Sequence, residues 1–437
     1  MIGIRTWGSQ LIAVLAGSAA ICGGAEPPPN FIIILCDDLG YADVGCFGAP
    51  KIRTPRIDRM AAEGMRFTDF YVPSPLCSPS RAGLLTGCYP RRIGLEKFVL
   101  RPDAKTGIHP DETTIAEALK GRGYATCAIG KWHVGFRPPF RPRAQGFDHY
   151  FGIYHNLDHW ETKYFESEGG VPLMRNEDVV LRPATPEILT EKYTEEALAF
   201  IARNRGRPFF IYLAHTMPHL RYDVSEGFKG KSAGGLYGDV VECLDWSTGE
   251  ILDTLRRLKL DGRTVVVFTS DNGPDKGSTG SALPLRGQKN TVFEGGVRVP
   301  CIMWWPGRIP AGSACREISS TIDLLPTFAT LAGAEGPGDR VIDGRDIRGL
   351  MFGEPGARSP HEAFYYHDGQ GVLRAVRSGQ WKYHASPKPA LYDLMADIGE
   401  RADVAAAHPD VVARLRGIFD AFDGEIGARA RPVGQGE

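Results

Sequence analysis

The sequence predicts an α/β protein in which a large mixed sheet lies between helices and a smaller C-terminal subdomain combines an antiparallel sheet with a helix. Apolar runs of strand length alternate with amphipathic segments from residue 31 to about 330, which is typical of a wound α/β sheet. Beyond residue 336 the apolar runs are short and alternating, and an amphipathic segment follows near 409–426. We therefore divide the chain into a leader (1–25), a main domain (26–335) and a C-terminal subdomain (336–437).

The elements of the main domain follow from apolar periodicity and from residues that begin or end helices. The run at 31–36 is apolar throughout, as expected for a strand buried on both faces. Thr54-Pro55 is a typical helix start, and Gly87 is a typical C-terminal cap for a short helix at 81–85. The other predicted strands are 66–72, 124–129, 208–214, 264–269 and 297–305, with 363–367, 371–378 and 381–384 in the subdomain. The other predicted helices begin at 110–114, at Thr190 and at 238, the last extending to 260.

The first 25 residues have the features of an export signal. Arg5 supplies a positive charge, residues 11–22 form a short apolar region, and Gly24 and Ala25 offer a small-residue cleavage site. The apolar region is too short for a good transmembrane span, and no other segment predicts one. We expect an exported protein. A lipid anchor on Cys22 is the alternative, but Ile21 is bulky where a small residue is expected.

Composition narrows the function classes. A net charge of −1 argues against a nucleic-acid-binding protein, which usually carries a basic excess. The chain has nine cysteines but no C-x-x-C pair, so a structural zinc site is not expected. Removing Cys22 with the leader and reserving Cys77 leaves seven cysteines, and the sequence does not decide whether any of them form disulfides.

Four predicted strands end directly in polar residues, which are Asp37-Asp38, Lys131 and His133, His215 and His219, and Asp271-Asn272. In open α/β sheets, ligands bind beyond the carboxyl ends of the strands, so we expect these side chains to meet in one site. Carboxylate and amide oxygens are hard ligands, and a set of this size favours Ca²⁺ over Mg²⁺. The aspartates would also repel one another strongly without a cation.

Cations and histidines in the same segments suit an anionic substrate. Lys131, Lys289 and Arg81 offer positive charge, and His133 and His219 offer groups that can carry protons. Such a set predicts an anion-transfer site in which positioning and charge stabilisation carry most of the rate.

The stretch from Cys77 to Gly87 reads C-S-P-S-R-A-G-L-L-T-G and resembles the signature of the type I sulfatases. Further motifs of that family occur in order over nearly the whole chain after the leader. They are Asp-Asp-Leu-Gly at 37–40, Gly-Lys-Trp-His at 130–133, His-Thr-Met-Pro-His at 215–219, Ser-Asp-Asn-Gly at 270–273, Gly-Gln-Lys at 287–289 and Leu-Tyr-Asp-Leu at 391–394. The last of these is similar to the C-terminal subdomain of arylsulfatase-A-like enzymes.

The resemblance implies an alkaline-phosphatase-like fold and a sulfuric ester hydrolase whose Cys77 is oxidised to formylglycine by a maturation enzyme. It implies that Ca²⁺ is held by Asp37, Asp38, Asp271, Asn272 and residue 77. Lys131 and Lys289 would grip sulfate, Arg81 would steady the nucleophile, and His133 and His219 would move protons. His215 matches a less constant position and is expected to contact the substrate. The substrate would be a sulfated saccharide or an aryl sulfate ester.

One loop departs from the family pattern. Many relatives carry Pro-Tyr-Ser followed by His or Asn and Asp where this chain has Tyr154-His155-Asn156-Leu-Asp158, with no serine. We expect His155 or Asn156 to take the missing polar role, and Tyr154 and Trp160 to offer rings for a sugar. Three rival functions stay open, namely a phosphate or phosphonate ester hydrolase of the same superfamily, a catalytically silent protein that binds sulfated glycans, and a metal-independent cysteine hydrolase.

Overall fold

The computed structural model describes residue 3 and residues 27–436. The predicted leader, apart from residue 3, and the proposed anchor position Cys22 lie outside the described residues. Among the residues that are described, no helix is both long and apolar enough to cross a membrane. The eight cysteines of this part of the chain are all unpaired.

Between residues 27 and 436, eighteen strands form one large sheet and three small ones. In chain order the strands are β1 (Asn30–Cys36), β2 (Met65–Phe67), β3 (Phe70–Tyr71), β4 (Thr106–Gly107), β5 (Ala125–Lys131), β6 (His149–Ile153), β7 (Leu173–Arg175), β8 (Asp178–Leu181), β9 (Phe209–Ala214), β10 (Thr264–Ser270), β11 (Cys301–Trp304), β12 (Ser313–Cys315), β13 (Ser319–Ser320), β14 (Phe364–His367), β15 (Leu373–Ser378), β16 (Trp381–His384), β17 (Ala390–Asp393) and β18 (Gly434–Gln435). The large sheet has ten strands in the order β12-β2-β11-β10-β1-β9-β5-β6-β7-β8.

The centre of the large sheet is parallel. β1 pairs in parallel with β10 and β9, and β5 pairs in parallel with β9 and β6. Antiparallel pairs flank this centre on both sides, β11 against β10 and β7 against β6. The predicted mixed α/β sheet is therefore confirmed, and the four strands with polar ends are direct neighbours.

Ten helices accompany the strands within the described residues. They are α1 (Pro55–Glu63), α2 (Cys77–Thr86), α3 (Ile115–Lys120), α4 (His159–Tyr164), α5 (Pro186–Asn204), α6 (Gly235–Arg257), α7 (Glu294–Val297), α8 (Leu324–Leu331), α9 (Arg348–Met351) and α10 (Pro409–Ala428).

Side-chain alternation along the strands separates two apolar clusters. Phe31, Ile33 and Leu35 of β1 pack in a cluster that includes residues of α2, α3 and α8. Ile32 and Ile34 pack on the opposite side with residues of α1, α5 and α6. The sheet is thus covered on both faces, and every residue of β1 is buried, as expected for a central parallel strand.

The C-terminal sheet joins the same core. β14 to β17 form an antiparallel meander, whose residues Phe364 and Ala375 belong to the cluster under the large sheet. Val376 and Tyr383 instead pack on Leu415 of α10. The predicted small antiparallel sheet and helix are therefore present, and β16 has the bounds expected from the sequence.

The short helix predicted at 81–85 begins earlier, at Cys77, and three further predicted elements differ from the structure. Thr190 does not begin a helix, since α5 begins at Pro186 after Thr185 in an extended conformation and Thr190 lies inside it. The segment 66–72 forms two short strands in different sheets, because β2 pairs with β11 whereas β3 pairs with β13. The segment 297–305 begins as the last residue of α7, and only residues 301–304 form a strand.

Candidate active site

Four parallel strands bring their carboxyl ends to one edge of the large sheet. β10, β1, β9 and β5 are adjacent in that order, and each is followed by polar residues of the predicted site. Backbone bonds continue the register past the strands, since the N–H of Asp271 donates to the carbonyl of Cys36 and that of His215 to the carbonyl of Leu35. The polar residues that follow these strands therefore begin at nearly the same level along the strand direction, at one edge of the sheet.

Cys77 is the first residue of α2, and only 2% of its surface is exposed. A helix N-terminus is electropositive, which by itself favours a thiolate. Burial has the larger effect, and it raises the pKa of the Cys77 thiol although Lys131 and Lys289 oppose the shift. The unmodified thiol is therefore protonated at neutral pH, which disfavours the rival cysteine hydrolase.

Three buried ion pairs surround Cys77. Lys131 Nζ lies 2.5 Å from Asp37 Oδ2. Lys289 Nζ lies 2.7 Å from Asp38 Oδ2, and Arg81 Nε donates to Asp271 Oδ2 at 2.8 Å. Each aspartate thus has a cationic partner, and the formal charges of the six groups cancel. The repulsion expected between the aspartates is already balanced by protein cations.

The position of Lys131 depends on a break in strand geometry. Strict alternation would put its side chain on the face of Ile129, which belongs to the cluster with α5 and α6. Gly130 has a φ of +99°, which breaks the extended pattern, and Lys131 instead reaches Asp37. The guanidinium of Arg81 also donates to the Lys131 carbonyl at 2.7 Å, which fixes this turn.

The site also offers unsatisfied oxygen atoms. Oδ1 of Asp37 and Oδ1 of Asn272 are buried without a hydrogen-bond partner. Asp37, Cys77 and Asp271 can each place one ligand atom within 4.8 Å of the others, and Asp37, Asp38 and His219 can do the same. Buried oxygens without a partner are costly, so this chemistry fits a hard divalent cation.

The carboxylates respond to this setting in opposite directions. Burial would raise the pKa of Asp37, but the cations around it, Lys131 foremost, hold that pKa well below its usual range. Burial and the charge of Asp37 raise the pKa of Asp271 to about 7. Asp38 has a φ of +65°, an uncommon backbone conformation for a residue other than glycine, of the kind that clusters at functional sites.

His219 and His133 lie on two sides of this cluster. Nε2 of His219 is 3.6 Å from Asp38 Oδ2 and 2.9 Å from Nδ2 of Asn156. Nε2 of His133 bonds the Leu100 carbonyl at 3.0 Å, which leaves its buried Nδ1 without a partner. Burial lowers the pKa of both rings, and Lys131 lowers that of His133 further while Lys289 lowers that of His219. Both are therefore neutral bases at pH 7.

His155 is buried beside His133. The two ring centroids are 6.5 Å apart, and the Phe136 ring lies 4.9 Å from that of His155. Burial lowers the pKa of His155 to about 3, and neither ring nitrogen has a side-chain partner. The structure thus brings His155 and Asn156 to the site, each beside a different histidine.

His215 is not directed at the cluster. Its Nε2 lies 3.3 Å from the Ser247 hydroxyl of α6, and its ring packs near Tyr193 of α5. Leu213 packs on this same face, so strand alternation from Leu213 indicates where His215 points. The ring lies on the far side of the sheet from α2, and we do not include His215 among the substrate contacts.

Two acidic residues near the site had no clear sequence signal. Asp158 caps α4 by accepting from the Trp160 N–H at 2.9 Å, and although burial opposes it, a hydrogen bond with Glu161 lowers the pKa of the Asp158 carboxyl. Glu161 is buried, and desolvation together with Asp158 raises its pKa to about 8. Tyr154, expected to offer a ring for a sugar, is 5% exposed, and its hydroxyl donates to the Asn176 carbonyl.

A second buried charge cluster holds the segment that carries Lys289. Glu294, five residues further on, accepts from Lys382 of β16 at 3.0 Å. The N–H of Glu294 donates to Glu400 at 2.8 Å, and Lys382 also lies 2.8 Å from Glu400. The C-terminal sheet thereby fixes one wall of the site.

Comparisons with known proteins match this geometry over most of the chain. The family model described as Sulfatase matches residues 29–334. A second family model, described as N-sulphoglucosamine sulphohydrolase, C-terminal, matches residues 287–416. N-acetylgalactosamine-6-sulfatase of Sus scrofa is 41% identical over 86% of this chain and 75% of its own length. Arylsulfatase A of Homo sapiens is 37% identical over 93% of this chain and 89% of its own.

A solved structure is similar as well. Ps i-CgsB in complex with k-i-k-neocarrahexaose superposes with a TM-score of 0.82 at 30% sequence identity. The match covers 92% of this chain and 94% of the other.

Proposed function

This chain belongs to the sulfatase family, and from that premise we propose that it removes sulfate from a sulfated carbohydrate by means of a formylglycine at position 77 and a bound calcium ion. As a sulfatase it is a sulfuric ester hydrolase, and its α/β fold is the alkaline-phosphatase-like fold that the resemblance implies. The observation that carries the proposal is the burial of Cys77 among three aspartates and three protein cations. A carbohydrate is favoured because N-acetylgalactosamine-6-sulfatase is among the similar relatives.

Residue 77 is the proposed nucleophile. Conversion of its thiol carbon to an aldehyde is a two-electron oxidation that takes oxygen from water and releases the sulfur, and the maturation enzyme supplies the oxidant. The hydrated aldehyde would supply two hydroxyls, one to attack sulfur and one whose deprotonation releases sulfate. The raised pKa of the unmodified thiol supports the need for this conversion.

Asp37, Asp38, Asp271 and Asn272 are the proposed ligands of the cation, together with residue 77. The unpartnered oxygens of Asp37 and Asn272 support this assignment. A calcium ion there would polarise the nucleophile and a sulfate oxygen. It would also compete with Lys131 and Lys289 for the carboxylates that they now bond.

In this proposal Lys131 and Lys289 bind the sulfate oxygens. Each ends beside Cys77, and the thiol is electrostatically coupled to both. Arg81 bonds Asp271 and the Lys131 carbonyl, so we assign it the role of steadying the nucleophile and its surroundings. Cations that are fixed before substrate arrives stabilise developing negative charge without reorganisation.

His219 and His133 are the proposed proton carriers. His219 would take the proton that the attacking hydroxyl of residue 77 releases and pass it to the leaving alcohol, and its contacts with Asp38 and Asn156 hold the ring beside the carboxylate cluster. His133 would take the proton from the second hydroxyl of residue 77. Its unpartnered Nδ1 supports this role, because a buried lone pair without a donor is available as a base.

A phosphate or phosphonate ester hydrolase is the second candidate, since both esters share the geometry of sulfate. A phosphate monoester carries one more negative charge than a sulfate ester at neutral pH. Among residues 27–436 both candidate metal groups include Asp37, so they form one set of ligands, which supports a single ion and the less charged sulfate ester.

The decisive experiment combines intact mass with turnover. Active protein should weigh about 18 Da less than the sequence predicts, from conversion of the Cys77 side chain. Hydrolysis of 4-nitrophenyl sulfate should exceed that of 4-nitrophenyl phosphate, and Cys77→Ala should remove the sulfatase activity while keeping the melting temperature. An active protein with an unmodified thiol would contradict the formylglycine scheme, and binding of sulfated glycan without turnover would favour the silent binding protein.

We also propose that the protein is exported, on the basis of the signal-like residues 1–25. Expression in a host with a secretory pathway should yield a mature N-terminus near Ala25 in the periplasm or medium. A chain retaining Met1 in the cytoplasm would contradict this, and a lipid on Cys22 would establish the anchored alternative.

A further inference from the structure

Two loops beside the proposed proton carriers hold exposed residues that the hydrolysis of a sulfate ester does not require. Leu100 is fixed between two site residues, because its N–H donates to Ser78 Oγ at 3.0 Å and its carbonyl bonds His133. The next residue is Arg101, whose guanidinium carbon lies 4.4 Å from the centroid of the Trp160 ring. Arg101 is therefore one residue from a contact of His133.

Trp160 extends from the other histidine. Asn156 bonds His219, and the chain from Asn156 runs directly into α4, where Trp160 is 56% exposed. The contact between Arg101 and Trp160 thus bridges the His133 and His219 sides of the site. The flat ring of Trp160 suits the CH face of a sugar.

Arg221 completes the group. It follows His219 by two residues, has a φ of +61° and places its guanidinium 3.5 Å from the Thr162 hydroxyl of α4. Within residues 27–436 neither Arg101 nor Arg221 forms an ion pair with a carboxylate; Arg101 contacts Trp160 and Arg221 contacts Thr162. Two exposed arginines therefore contact α4, and a guanidinium group can bind an anion in bidentate geometry.

We propose that Arg101, Trp160 and Arg221 form a second sugar subsite, which binds the residue next to the sulfated one and selects for an anionic group on it. This inference rests on the proposed sulfatase function and names its substrate class, an oligosaccharide with a carboxylate or a further sulfate on the neighbouring sugar. Trp160 would stack on that sugar, and the two guanidinium groups would bind the anion.

The test measures how well sugars inhibit the turnover of 4-nitrophenyl sulfate. The probes are 6-sulfated N-acetylgalactosamine, a chondroitin 6-sulfate tetrasaccharide, whose neighbouring sugars carry carboxylates, and a carrageenan tetrasaccharide, which carries only sulfates. At least one tetrasaccharide should bind at least ~10-fold more tightly than the monosaccharide, and that preference should shrink with added salt. The preferred tetrasaccharide identifies the anion.

Variants separate the subsite from the reaction. Arg101→Gln and Trp160→Ala should each lower the tetrasaccharide preference by about tenfold, a larger loss than their effect on 4-nitrophenyl sulfate itself. Arg416→Gln, at a 71% exposed arginine of α10, is the matched control and should keep the preference. The inference is overturned if the wild-type protein prefers neither tetrasaccharide, or if both variants keep the preference. Absence of 4-nitrophenyl sulfate turnover by protein with a converted residue 77 would instead refute the proposed function.

Discussion

Gly130 and Gly152 lie opposite each other in the parallel pair of β5 and β6, and neither position has room for a β-carbon. A methyl group on Gly152 would lie 2.0 Å from the Gly130 carbonyl oxygen, and one on Gly130 would lie 1.9 Å from that of Ala214. The backbones of the strands on both sides of Gly130 therefore leave no space for a side chain there. Gly130 directly precedes Lys131, the residue that reaches Asp37.

Gly130→Ala should accordingly disrupt the site and the sheet together. The change combines a positive φ with a clash against backbone, so we expect a loss of stability of about 3 kcal/mol or more. Sulfatase activity should fall in parallel, because Lys131 moves with the strand. Urea denaturation measures the loss of stability, and hydrolysis of 4-nitrophenyl sulfate measures the loss of activity. Gly123→Ala is the matched control, since Gly123 also has a positive φ (+80°) but nothing within 4 Å, and it should cost only about 1 kcal/mol.

Removal of the proposed cation should abolish activity reversibly. Treatment with a chelator should lower kcat by at least ~100-fold, because the nucleophile loses its polarising charge. Calcium should restore activity better than magnesium, since the ligand set is large and rich in oxygen. Full activity of metal-free protein, verified by elemental analysis, would contradict the proposed site. Asp271→Asn should raise the calcium concentration needed for half-maximal activity.

Lys382 should be required for stability although it is remote from Cys77. Lys382→Met leaves Glu294 and Glu400 buried without their shared cation, which should cost about 3–5 kcal/mol. The double variant Lys382→Met with Glu400→Gln should lose less than the sum of the single variants, because one uncompensated charge is removed. Additive losses in urea denaturation would show that the buried pair is not coupled as the contacts indicate.

His361 gives a prediction about pH and stability. Its Nε2 lies 2.7 Å from Asp323 Oδ1, and although burial opposes the charged ring, Asp323 raises the pKa of His361 above its usual value. A pKa raised by folding adds stability that is complete below the unfolded pKa, roughly 6.5, and is lost as the pH rises through the folded pKa. The melting temperature should therefore fall more between pH 6 and pH 8.5 in the wild-type protein than in His361→Gln. Equal changes in both proteins would contradict this assignment.

The part of the site that lies at the ends of parallel strands could be predicted from the sequence. Asp37 and Asp271 follow adjacent buried strands, so their meeting at one edge could be predicted from position alone. His215 could also have been placed, since its alternation from Leu213 directs it away from α2. Glu161 could not, because it lies in a short helix within a loop, and its proximity to the site depends on tertiary packing that leaves no periodic pattern. The direction of the Lys131 side chain could not be predicted either, because it depends on the positive φ of Gly130. A glycine in the sequence permits a positive φ but does not show that one occurs.

The burial of Cys77 has a consequence for the order of events in the cell. The thiol is buried, and the adjoining wall that carries Lys289 is held by Lys382 and Glu400, more than 300 residues later in the chain than Cys77. If residue 77 is converted as proposed, the enzyme that converts it would have to reach the thiol before this wall forms. A chain that folded with an unmodified Cys77 would then keep a buried thiol and would lack the proposed nucleophile.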